Sequence, residues 1–277
     1  MMESIIEIIK QRFSNRAYSD RKIEEGLKKD IMNYALGMGK GPFGNSVRFQ
    51  LVESLSPEAH LGTYSMIKGA SLYLAGAVKK AEKSMEDFGY CMETAVLKAA
   101  GSGISSCWLG GTFSRSSFAK KINLGEDEVI PAVTPLGYPG EKSTLLAGLL
   151  GMSRGNRSRK PFEELFFEGG IGVPLKKSDL DENYRTVLES VRLAPSASNK
   201  QPWRIIRDKD MKKWHFYLNE DKLYNNVFKD IKLQNVDIGI AMCHFDLSAK
   251  ELGLAGSWKT MNPGLNAGKL LYIVSWS

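Results

Sequence analysis

The stretch that decides the fold is DFGYCMETAVLKAAGSGISSCW, residues 87–108, because DIGIAMCHFDLSAKELGLAGSW, residues 237–258, repeats it. Aligned without a gap, the two share Asp87/Asp237, Gly89/Gly239, Met92/Met242, Leu97/Leu247, Ala99/Ala249, Gly103/Gly253 and Trp108/Trp258. Apolar residues recur at helical spacing in both: Phe88, Cys91, Met92 and Ala95 in the first, Ile238, Ala241, Met242 and Phe245 in the second. Each then passes through Gly-Ile or Gly-Leu into a turn of small residues that ends on Trp. Two copies are too few for a solenoid, so the repeat predicts a duplicated fold with its long buried helices packed against each other across a pseudo-twofold axis.

The flanks extend the likeness. Strand-like runs precede the two helices, ASLYLAGAV (70–78) and KWHFYLN (213–219), and others follow, VIPAVTPLGY (129–138) and KLLYIVSW (269–276). Upstream, DIMNYALGMGKGPFGNSVRFQLV (30–52) stands where YRTVLESVRLAPSASNKQPWRIIR (184–207) stands in the other half. Each half reads helix, Asn-containing loop, strand, strand, long buried helix, turn, strand. The halves meet near residues 160–175, where RKPFEELFFEGGIGVPL offers a short helix and then a Gly/Pro connection. The expected fold class is α+β, in two repeats, residues 1–165 and 166–277, each a mixed or antiparallel sheet flanked by helices.

Composition narrows the function classes. The 277 residues are 43% hydrophobic and 25% charged, ordinary values for a globular protein. No apolar run approaches the ~18 residues of a membrane span, so no membrane partner is expected. The N-terminal MMESIIEIIKQRF reads as an amphipathic helix with Ile5, Ile6, Ile9 and Phe13 on one face, not as a signal peptide. Cys91, Cys107 and Cys243 form no CxxC pair, which fits a reducing cytoplasm. His60, His215 and His244 lack metal-ligand spacing, so no metal is expected. The net charge of +7 comes without a dense basic run interleaved with aromatics. Nucleic acid is therefore not an expected partner, while a positive site for a phosphorylated small molecule stays open.

Four segments could carry chemistry. In QRFSNRAYSD (11–20), Arg12, Ser14 and Arg16 alternate, so an extended piece points all three one way, two guanidiniums and a hydroxyl suited to a phosphate. Alone, the segment also reads as a solvated basic helix end. In LAPSASNKQPWRII (193–206), Pro195 fixes the backbone while Ser196, Ser198, Asn199 and Gln201 present short donors and acceptors, though a helix-to-strand turn would look the same. Gly110 and Gly111 of CWLGG (107–111) would let a flat ring or an anion approach backbone N–H groups, or simply make a turn. Arg154, Arg157 and Arg159 precede a Pro-initiated helix in RGNRSRKPFEEL (154–165), a basic linker or an anion site. The glycine-rich GMGKGPFG (37–44) follows a helix rather than a strand, unlike a phosphate loop, and reads as a degenerate copy of the Pro-Ser-Asn turn.

With these pieces in this order the chain resembles the nitroreductase superfamily of FMN-dependent oxidoreductases. The resemblance rests on Arg12-x-Ser14-x-Arg16, on Ala194-Pro195-Ser196-x-x-Asn199-x-Gln201-Pro202-Trp203, on Gly-Ile-Ser-Ser-Cys-Trp-Leu-Gly-Gly (103–111), and on Leu-Gly-Tyr-Pro (136–139) followed by Arg157, Arg159 and Pro161. Members of that superfamily are typically homodimers with FMN at the subunit interface. Here the Arg-x-Ser-x-Arg motif occurs only in the first half and the intact Pro-Ser-Asn loop only in the second, while VPLKKSD (173–179) and GKGPFGN have lost recognisable ligands. The resemblance therefore implies a monomeric, single-chain pseudo-dimer with one flavin site. It further implies that Arg12 and Ser14 hold the FMN phosphate with Arg157 and Arg159, and that Arg16 reaches the phosphate or the pyrimidine edge. By the same resemblance Pro195, Ser196, Ser198 and Asn199 line the ring, and Gly110 and Gly111 lie beside the redox-active edge. Arg16, which would stabilise the reduced ring, and Gly111 are the implied catalytic residues. The implied activity is ping-pong transfer of hydride from NADH or NADPH through FMN to a small nitroaromatic, quinone or similar acceptor. The alternative is a flavin-binding protein or degenerate scaffold without turnover.

Overall fold

A computed structural model describes residues 4–54, 66–140, 159–210, 213–228 and 230–277. The strand-like runs gather into two five-stranded sheets. In the first, β1 (Val47–Glu53) pairs antiparallel with β2 (Leu72–Lys79) from Val47 opposite Val78 to Glu53 opposite Leu72. β3 (Ser105–Ser106), β4 (Glu128–Val129) and β5 (Val133–Gly137) complete it in the order β1-β2-β5-β3, with β4 beside the end of β2. The second sheet comprises β6 (Phe166–Glu168), β7 (Trp203–Arg207), β8 (Trp214–Leu218), β9 (Trp258–Lys259) and β10 (Leu271–Trp276), ordered β6-β7-β8-β10-β9. Its pairs are antiparallel except β6 with β7, so one sheet is antiparallel and the other mixed, within an α+β fold.

The sequence departs from its expected reading at β6. Over 159–175 the pattern suggests a helix and a connection, whereas the chain makes one 3-10 turn, Phe162–Glu164, and then a strand. Three residues are too few to display alternation, and the strand's partner, Ile205–Arg207, is remote in sequence.

Seven helices flank the sheets among the described residues: α1 (Ile5–Gln11), α2 (Glu25–Gly37), α3 (Ser84–Gly101), α4 (Arg115–Lys121), α5 (Glu182–Arg192), α6 (Lys222–Asn225) and α7 (Leu233–Glu251). Helices α3 and α7 are buried on nearly every face, as expected of helices apolar all round, and pack chiefly on each other. Their crossing is made by glycine. A Cβ at Gly89 would run into the Val236 carbonyl, and a Cβ at Gly239 into the Glu86 carbonyl. Each glycine thus abuts the residue three before the other, a reciprocal contact of the kind a twofold axis produces. Helix α1 packs on α3, α5 and α7 and ends at Arg12, which places the first candidate motif over the seam.

Candidate active site

Beyond α1 the chain runs extended: Ser14 bridges Ser106 in parallel, and Asn15 N–H donates to the Ser106 carbonyl at 2.9 Å. Alternation then sorts the side chains. Asn15 is buried and donates to the Ala17 carbonyl at 2.8 Å, while Arg12, Ser14 and Arg16 line a cavity of about 510 Å³. Gly110, Gly111, Arg159, Pro195, Ser196, Ser198 and Asn199 line the same cavity. Of the candidate site residues singled out in the sequence, Arg154 and Arg157 lie outside the described residues. Ser14 and Ser196, far apart in the chain, share one cleft.

The turn at 195–199 exists because Pro195 cannot continue α5, and it is held in a conformation few residues adopt. Ser198, Asn199 and Gln201 have φ of 49°, 54° and 47°. Non-glycine residues in the left-handed region cost free energy, so the surroundings must fix them. They do so with hydrogen bonds. Gln201 N–H donates to Ser196 Oγ at 2.9 Å, Lys160 N–H to Gln201 Oε1 at 2.8 Å, and Gln201 Nε2 to the Asn199 carbonyl at 3.0 Å. Arg159 donates through Nη1 to Asn199 Oδ1 and through Nη2 to the Leu193 carbonyl at 2.8 Å. Its terminal nitrogens therefore clamp the turn, and burial lowers its guanidinium to about 10, which still leaves it charged at neutral pH.

Arg12 is in a different situation. Its Nε and Nη1 are buried and find no hydrogen-bond partner among the described residues. The nearest anion is Glu93, whose Oε1 is 3.8 Å from Arg12 Nε, beyond hydrogen-bond range. Glu93 is committed elsewhere: Trp108 Nε1 donates to its Oε2 at 2.6 Å, and His244 Nε2 lies 2.9 Å from Oε1. His244 Nδ1 faces the Ser190 carbonyl at 2.8 Å and must donate to it. Both ring nitrogens thus face oxygen. Arg12 stands beside the cavity with unmade hydrogen bonds of the kind an anion would complete.

The glycines sit at the other wall. Leu109 and Val133 exchange backbone hydrogen bonds at 2.9 and 3.0 Å, which fixes the chain ahead of Gly110 and Gly111. A Cβ at Gly110 would press on the Leu233 side chain at 2.9 Å. Arg115 donates to the Gly110 carbonyl and, at 3.2 Å, to that of Pro131, with its guanidinium between the rings of Phe228, 4.0 Å away, and Phe113, 4.7 Å away. Phe228 and Tyr224 belong to residues 219–232, which join β8 to α7 where residues 80–83 join β2 to α3. Tyr224 OH lies 3.0 Å from Ser198 Oγ, so this longer connection reaches the cavity wall.

Sequence reasoning missed Trp108, Arg115, Tyr224, Phe228 and Asp237 as participants. Two signals were present: Trp108 and Asp237 are matched positions of the repeat, and Tyr224 and Phe228 lie where the copies differ in length.

Fold and cavity together define a two-sheet α+β protein built round a cleft that presents cations and backbone amides. The family model described as "Putative TM nitroreductase" matches residues 4–249, and the chain belongs to that family. Among solved structures, a "putative nitroreductase" from Thermotoga maritima msb8 is 19% identical, with 100% of this chain and 93% of that chain covered at a TM-score of 0.65, a likeness of fold. A nitroreductase family protein from Clostridium novyi NT is 20% identical, covering 50% of this chain and 89% of its own, with a TM-score of 0.44. A nitroreductase with bound FMN from Desulfitobacterium hafniense DCB-2 is 16% identical, covering 50% and 91%, also at 0.44. No curated protein matches the chain.

Proposed function

We propose that this nitroreductase-family chain is an FMN-dependent NAD(P)H oxidoreductase with one flavin site, formed between halves 1–165 and 166–277 of a fused pseudo-dimer. The observation that carries the reading is the shared cavity: Arg12, Ser14 and Arg16 reach it from one half, and Pro195, Ser196, Ser198 and Asn199 from the other. Its volume suits a ligand of FMN's size. The buried, uncompleted donors of Arg12 fit a phosphate. Gly110 and Gly111 leave room for a flat ring against backbone.

In this reading Arg12 and Ser14 hold the phosphate and Arg16 stands at the pyrimidine end. Arg159 serves chiefly by locking Asn199 and the turn that lines the ring. Bound FMN would supply hydride acceptance from NADH or NADPH and delivery to a nitroaromatic, quinone or related acceptor. Arg115 holds the Gly110 carbonyl and so fixes the amides of Gly110 and Gly111 at the reacting edge. Tyr224 lines the cavity and offers a ring for an aromatic acceptor, Phe228 packs on Arg115 beside Gly111, and alternation of donor and acceptor in one cleft gives ping-pong turnover.

The counterpart cleft supports a single site. There the turn Gly41–Asn45 packs directly onto Asp87, which accepts from Phe43 N–H at 2.9 Å and Asn45 N–H at 2.8 Å, and a Cβ at Gly41 would overlap the Asp87 carboxyl. Purified protein is expected to be yellow, or to become so with FMN, and to bleach anaerobically with NADH or NADPH. Protein that stays colourless with excess FMN contradicts the proposal. Bound FMN that neither nucleotide reduces would instead favour a flavin-binding scaffold without turnover.

A further inference from the structure

Asp87 and Asp237 are matched residues of the repeat, and each holds the helix-to-strand turn of its own half. Asp87 has both oxygens engaged: Oδ1 accepts from Phe43 N–H, and Oδ2 from Asn45 N–H and, at 2.9 Å, Asn45 Nδ2. Asp237 has one. Its Oδ1 accepts from Ala197 N–H at 2.8 Å, while Oδ2 is buried without a hydrogen-bond partner among the described residues. Asp237 is only 2% exposed, and among the described residues it is the one carboxylate lining the proposed flavin cavity. A buried ionised carboxylate with one hydrogen bond is strongly disfavoured, whereas the neutral acid leaves an O–H donor that still needs an acceptor.

We propose that Asp237 is a ligand-binding carboxylic acid, neutral at physiological pH, whose Oδ2–H donates to an acceptor atom of the bound FMN. This rests on the flavin reading above. The second copy of the turn has given up the donors that Asp87 retains, and so leaves a group for the ligand instead.

Burial raises the Asp237 carboxyl to about 8, with the Ala197 amide opposing in part. The ionisable groups on neighbouring elements are engaged elsewhere. On α3, Glu86 accepts from Asn235, Tyr90 donates to Asp246, and Glu93 holds Trp108 and His244. Glu189 on α5 pairs with Arg192, Arg159 donates to Asn199, and Tyr224 on α6 pairs with Ser198. Arg12 and Arg16 line the cavity, and neither hydrogen-bonds to Asp237.

The sign follows from linkage. Neutral Asp237 binds, ionised Asp237 does not, so FMN affinity falls as pH rises through the carboxyl's folded value. FMN dissociation constants, read by flavin fluorescence, should be about tenfold weaker at pH 9 than at pH 7 for the wild type. Asp237→Asn keeps a donor and should be flat across that range, at the wild type's tighter value. Parallel profiles for wild type and variant would overturn the proposal. A second measurement needs no variant: calorimetric titration of FMN near pH 8.5, in buffers of differing ionisation enthalpy, should show uptake of about three-quarters of a proton. Binding with no proton uptake also overturns it. Tight, pH-independent binding removes only the role of Asp237, whereas no FMN binding at any pH removes the flavin reading and this inference together.

Discussion

Arg12 is the residue on which the binding argument turns, because its Nε and Nη1 are buried with their hydrogen bonds unmade. Removing it should weaken FMN by about 10- to 100-fold, the worth of one or two charge-assisted hydrogen bonds, with melting temperature little changed or raised. Fluorescence titration of Arg12→Ala checks this, and an unchanged dissociation constant would place the phosphate elsewhere. Asp237 makes a separate prediction for the ligand-free protein. Its folded value, about 8, lies above the ordinary carboxylate range, so its contribution to stability is fully present below about pH 4 and is lost as pH rises to about 8. Asp237→Asn should therefore melt higher than wild type at pH 9, by an increment of up to a few kcal/mol, and show no such gain near pH 4. A difference independent of pH would contradict this. Much of the site is legible at this scale, since alternation alone brings Arg12, Ser14 and Arg16 to one side. The Glu93–His244 contact is not legible, because its members lie on different helices and meet only through the crossing.

Among the elements, the glycine crossing of α3 and α7 carries the most weight. At Gly239 a methyl group would meet backbone rather than a side chain that could turn aside. Gly239→Ala should cost about 3 kcal/mol or more, or abolish folding, and Gly89→Ala should behave alike. Gly26, in the first turn of α2, has open space around it and gives the control: Gly26→Ala should stabilise by about 0.5–1 kcal/mol. Thermal or urea unfolding of the three variants distinguishes a close crossing from loosely packed helices. The long helices and most strands were readable because each runs through several periods of its pattern. The strand β6 was hidden by its length, and the connection formed by residues 219–232 by having no counterpart in the other half.

For the whole molecule, the proposal is that two related halves enclose one functional cleft. Asp87 gathers the Gly41–Asn45 turn onto itself, which the sequence foreshadows only as a loss of motif residues. The net charge of +7 does not by itself locate a site; the arginines become informative once Arg12 is seen with buried, unpartnered nitrogens and the terminal nitrogens of Arg159 are seen holding the turn. The most direct measurement is the stoichiometry of FMN on the purified chain, by titration against protein quantified independently. One FMN per chain is the predicted result, and two, or none with excess FMN, would contradict it.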